Sequence, residues 1–162
     1  MNPHHLLELA EKSLSFTTGR PRQANLRRAV STAYYAIFHS LTQSGARLIS
    51  SRDYLRPLIA RKFTHASMKK TSEEFGQGKI PNSMIVPISE IPRDLAKLAQ
   101  LFVRLQQERH RADYDSQASF SLAGVSDLLA ETKAALEIWP ALEAHPAAEL
   151  YLLAMLFQPL GR

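Results

Sequence analysis

The chain has 162 residues, 45% hydrophobic and 22% charged, which is the length of one domain with enough apolar material for a core and excludes an intrinsically disordered chain. It has no cysteine, so disulfide frameworks and thiolate metal sites are excluded and a reducing compartment is favoured. The net charge of +5 is uneven: residues 1–80 hold 13 Lys and Arg against 5 Asp and Glu, whereas residues 81–162 hold 7 against 10. A basic half suits a polyanion, with nucleic acid the commonest, or else it is a solvated face.

No strand-like alternation occurs, and helical spacing recurs throughout. A first helix is expected over about 3–15, with Leu6, Leu9, Ala10 and Leu14 on one face; Thr17, Thr18 and Gly19 end it and Pro21 opens the next. The second, about 22–48, carries a stripe of Leu26, Ala29, Val30, Ala33, Ile37 and Leu41. A third is expected from 51 to 75, with Asp53 as its cap and Pro57 near its start. Residues 76–88 carry two Gly and two Pro and read as a loop.

The fourth helix starts near 89–92 and reaches at least Arg111, with Leu95, Leu98, Phe102 and Leu105 as its stripe. Residues 115–119 break the pattern. A fifth helix over about 121–142 shows Leu122, Val125, Leu129, Thr132, Leu136 and Trp139, with Pro140 kinking or shortening its end. A short add-on helix over 145–158 closes the chain, its apolar face docking on the bundle or on another subunit. The sum is an all-α, up-and-down bundle of five to six helices in one domain over 1–162. The first ten residues lack a basic-then-apolar leader, and the longest apolar stretch, 150–157, is far short of the ~20 residues that span a bilayer. A cytoplasmic protein without a membrane partner is expected.

The fourth helix holds the most informative feature. One step past Leu105 its apolar stripe meets Arg109, and a guanidinium carried to a buried face needs a partner or a ligand. Asp113 lies four residues on, and His110 and Tyr114 share that spacing on the adjacent face. Either this is a polar lock on the helix end or it is a site. Tyr35 and His39, four apart on the second helix, could line the same cleft. Arg61, Lys62, His65, Lys69 and Lys70 form a basic run around Phe63, either a phosphate-tracking face or a solvated one. His4 and His5 lack companions for a metal site, and Gly76 and Gly78 lack the Lys-Ser/Thr of a phosphate loop.

Two segments carry a resemblance. AVSTAYYAIFHSL, from Ala29 to Leu41, resembles the long second helix of small bacterial HEPN-domain proteins, and RHRADY, from Arg109 to Tyr114, resembles the R-x-x-A-D-Y that ends their later core helix. The resemblance implies a HEPN-like helical bundle that pairs as a homodimer. It also implies action on RNA as a cofactor-free, metal-independent endoribonuclease, a hydrolase of toxin–antitoxin or other defence systems. Arg109, His110, Asp113 and Tyr114 would then be catalytic, with Arg111, Arg61, Lys62, His65, Lys69, Lys70, Tyr35 and His39 binding RNA. The family's signature is an Arg, four to six residues, then a His; here Asp113 and Tyr114 stand at that distance from Arg109. The literal spacing match, Arg104 to His110, lies off the apolar stripe. A non-catalytic HEPN module that binds RNA or a nucleotidyltransferase-type antitoxin partner, and a structural helical dimer, stay open beside the nuclease.

Overall fold

The computed structural model describes residues 1–15, 19, 22–81, 84, 88 and 90–157. Among these the chain is all α-helix: α1 (Pro3–Ser15), α2 (Gln23–Ile49), α3 (Arg56–Ala60), α4 (His65–Gly76), α5 (Arg93–Tyr114), α6 (Leu122–Leu142) and α7 (Pro146–Phe157). Seven helices replace the five or six expected, because the expected third helix is two. Thr64 is extended and its Oγ1 accepts a hydrogen bond from Ser67 N at 3.1 Å, so α4 begins afresh after a turn at Arg61 and Lys62. Nor does Asp53 cap α3: Leu55 holds that position, and Asp53 Oδ1 pairs with Arg56 Nη1 at 2.6 Å. The roles expected of Thr17, Thr18, Pro21 and Ser89, and much of the 76–88 loop, fall outside the described residues. No described helix is long and apolar enough to cross a membrane.

The chain divides into two compact units, residues 1–40 with 104–138, and residues 41–103 with 139–162. In the first unit, Leu26, Ala29, Val30, Ala33 and Ile37 of α2 are buried as their spacing predicts, with Leu105 of α5 and Val125, Leu129 and Leu136 of α6. Leu122 is an exception, exposed at the first position of α6. The face of α1 is also corrected: Leu7, Ala10 and Ser13 are buried while Leu9 is 49% exposed. Three leucines in four residues offer two adjacent faces, and Ser13 tolerates burial because its hydroxyl donates to Leu9 O at 2.8 Å.

In the second unit, α7 docks on α4, which is where its apolar face goes. Tyr151 packs on Phe75 with ring centroids 5.0 Å apart, and its hydroxyl shares a 2.7 Å hydrogen bond with Ser72 Oγ. Burial raises the Tyr151 pKa, with the Ser72 bond working against that shift. Trp139 Nε1 donates to Ser44 Oγ at 2.9 Å, and α6 continues two residues past Pro140 to end at Leu142. Gly45 is fixed by a close approach: a Cβ there would run into the buried ring of Phe63. Gly45→Ala gains helix propensity but overpacks that contact, so a net loss of roughly 1–2 kcal/mol is expected in urea denaturation.

Candidate functional site

The site grows from two facing series of residues in the first unit. On α2, Arg27, Ser31, Tyr35 and His39 recur every four residues and so share one helix face. On α5, Arg109 and Asp113 have the same spacing. The two series pair in opposite chain order, Tyr35 with Arg109 and Ser31 with Asp113, so these segments run antiparallel.

Arg109 is the centre. Its side chain is 19% exposed, and Nε stands 2.7 Å from Asp113 Oδ2, an ion-pair distance without the alignment of a hydrogen bond. Nη2 donates to the Tyr35 hydroxyl at 3.0 Å. The guanidinium carbon lies 5.6 Å from the Tyr35 ring centroid, 5.5 Å from that of Tyr114 and 6.0 Å from that of Tyr34, within the range of cation–π attraction. Burial works against the charge, but Tyr35, Asp113 and Tyr114 outweigh it and hold the Arg109 pKa above its ordinary value. Ser31 Oγ donates to Asp113 Oδ1, so the carboxylate is held from both helices. Tyr34 is fully buried, and burial raises its pKa despite the opposing charge of Arg109.

Arg27 and Ser31 were not singled out in the sequence, and both position the site. Arg27 Nη1 donates to Ala112 O at 3.0 Å and Asp115 O at 2.8 Å, and Nη2 reaches Ser116 O at 3.4 Å and also Ala118 O. One guanidinium thus bonds a carbonyl in the last turn of α5, which lacks a helical partner there, and three in the turn that follows. One turn earlier, Gln23 exchanges two hydrogen bonds with the backbone of Phe120, at 2.8 and 2.9 Å. The signal in the sequence was the four-residue repeat of Gln23, Arg27, Ser31 and Tyr35.

The other expected site residues divide. His39 continues the α2 series, its ring 6.2 Å from that of Tyr35. His110 is exposed and packs on Tyr114, ring centroids 5.0 Å apart, and Tyr114 is itself 67% exposed. Arg111 is held by Glu108 at 2.8 and 3.0 Å and lies over the Phe120 ring, away from the Arg109 network. Arg104 pairs with Glu131. A groove of about 410 Å³ beside that pair is lined by Val30, Glu108, Phe120 and Asp127 among others, with more carboxylates than cations, a poor setting for phosphate. Arg61, Lys62, His65, Lys69 and Lys70 belong to the second unit; Lys69 pairs with Glu73 at 3.7 Å, and Phe63 between them is buried.

Burial lowers the His39 pKa, with the N-terminal ammonium adding to the effect. A folded-state pKa below the unfolded value means the unfolded chain binds more protons in that window. Stability should therefore fall as pH drops through about 6.5 towards the folded-state value, and His39→Gln should flatten that loss. Melting temperatures of both proteins between pH 7.5 and 5 check this.

No protein-family model, no curated protein and no solved structure matches the chain.

Proposed function

We propose that the chain is a HEPN-like protein that acts on RNA, and that Arg109 is the phosphate-binding group of a metal-independent endoribonuclease site. The observation carrying this reading is the half-buried guanidinium held in a fixed direction by Asp113 and Tyr35 while its Nη1 has no hydrogen-bond partner among the described residues. A fork oriented in this way, with one arm open, suits a phosphoryl oxygen. In the proposed reaction a ribose 2′-oxygen bonds to the adjacent phosphorus and the P–O5′ bond breaks, leaving a 2′,3′-cyclic phosphate and a 5′-hydroxyl. One group accepts the 2′-OH proton and another returns a proton to O5′. Of the two imidazoles beside this network, His110 is open to solvent and His39 neighbours the Tyr35 ring on α2. Arg109 stabilises the charge that gathers on the phosphorane oxygens.

In this reading the protein works as a cytoplasmic homodimer and as the toxin-like half of a defence or toxin–antitoxin pair. A second reading has one observation in its favour. Ser31, Asp113, Arg109 and Tyr35 close a network within one copy, which serves a structural or partner-binding module equally well, including one that meets a nucleotidyltransferase-type antitoxin. Incubating wild type and Arg109→Ala with total RNA and tRNA in excess EDTA, beside thermal melts, separates the two. Cleavage by wild type alone with matched melting supports the nuclease; no cleavage with a lower mutant melting temperature supports the module.

A further inference from the structure

We infer that the surface around Tyr54 in the second unit binds single-stranded RNA, one base stacking on the phenol ring and phosphates held by Arg61 and Lys62. The choice of RNA as the polyanion rests on the function proposed above; the surface itself stands on separate observations. Tyr54 is 68% exposed and Leu58, one turn on, is 56% exposed. A single exposed aromatic is ordinary. Here it coincides with uncompensated charge: residues 47–62 hold five Arg and Lys against one Asp, a net +4.

The hydrogen bonds sort those cations. Arg47 is taken by Glu143 at 3.1 Å. Arg56 is taken three times, by Asp53, by Ser50 O at 3.1 Å and by Ser51 O at 3.2 Å. Those bonds tie the 50–53 turn to the start of α3 and so hold Tyr54 in place, reducing the ordering cost of a ligand. Arg52 Nη1 lies 3.5 Å from the Tyr54 hydroxyl, beside the ring's polar end. The side chains of Arg61 and Lys62 are exposed, in the turn after α3, and have no ion-pair or hydrogen-bond partner among the described residues.

An aromatic platform followed by free cations is the combination by which proteins hold single strands without reading sequence. The arrangement suits a membrane surface less well. α3 has five residues including a proline, and supplies no amphipathic face of the length that beds among headgroups.

The test is fluorescence anisotropy with a labelled 2′-O-methyl U12 oligonucleotide, which a 2′-hydroxyl mechanism cannot cut. Wild type should bind, with affinity falling steeply as salt rises. Tyr54→Ala should weaken binding about tenfold, and Tyr54→Phe should stay within about twofold because the π-face is kept. Replacing Arg61 and Lys62 together by alanine should reduce the log–log salt slope by about 1.4. All three residues changed here are exposed, and matched melting curves would confirm that the variants fold. Absence of U12 binding, or equal binding by wild type and Tyr54→Ala, overturns the inference, and so does binding to phosphatidylserine vesicles in place of U12. Binding without any cleavage of ordinary RNA would sink the nuclease reading and leave this one; cleavage without U12 binding would do the reverse.

Discussion

Arg27→Ala should be among the most destabilising single substitutions in the first unit, costing about 2–4 kcal/mol in urea denaturation. Its guanidinium is the shared donor for the carbonyls of Ala112, Asp115, Ser116 and Ala118. A hydrogen bond to a charged group contributes roughly 1.5–3 kcal/mol, and four bonds from one group do not add. Residues 115–117 are exposed, so water recovers part of the loss once the side chain is gone. This keeps the expected cost well below the sum. Amide exchange should rise most over residues 112–118, and Arg27→Lys should restore little, since an ammonium lacks the planar fork. A loss under about 0.5 kcal/mol would mean that the end of α5 holds itself.

Arg109→Lys should lower RNA cleavage by about 10²- to 10³-fold while changing stability by no more than about 1 kcal/mol. Lysine keeps a positive charge near Asp113, so the carboxylate is not stranded. What it lacks is the fork that bonds Tyr35 with one arm and leaves another open. Losing one well-placed donor at a developing oxyanion typically costs that much in rate. Single-turnover cleavage read beside melting curves checks the split. Equal loss of stability and activity would point to a lock without chemistry.

The legibility of this structure in its sequence varied with the kind of contact. The stripe of α2 from Leu26 to Leu41 was readable because apolar spacing alone decides it, and the same spacing marked Arg109 as a charge in need of a partner. Asp113, at four residues, was the natural candidate and is the partner found. Arg27 was marked only by the four-residue repeat it shares with Gln23, Ser31 and Tyr35, because its partners are backbone carbonyls that no pairing of side chains announces. The split between α3 and α4 turned on Thr64, a cap flanked by Phe63 and a basic run that together imitate a continuing helix. The face of α1 was ambiguous because Leu6, Leu7 and Leu9 crowd one turn, and tertiary packing selected Leu7. His110 sits one residue from Arg109, about 100° round the helix, so nearness in sequence overstated how far the two share a face.

The most direct test of the account is the chemistry of the RNA ends after incubation of wild-type protein with tRNA in excess EDTA. Fragments that carry 2′,3′-cyclic phosphate and 5′-hydroxyl ends are the predicted result. Intact tRNA at protein concentrations that saturate U12 binding would contradict it.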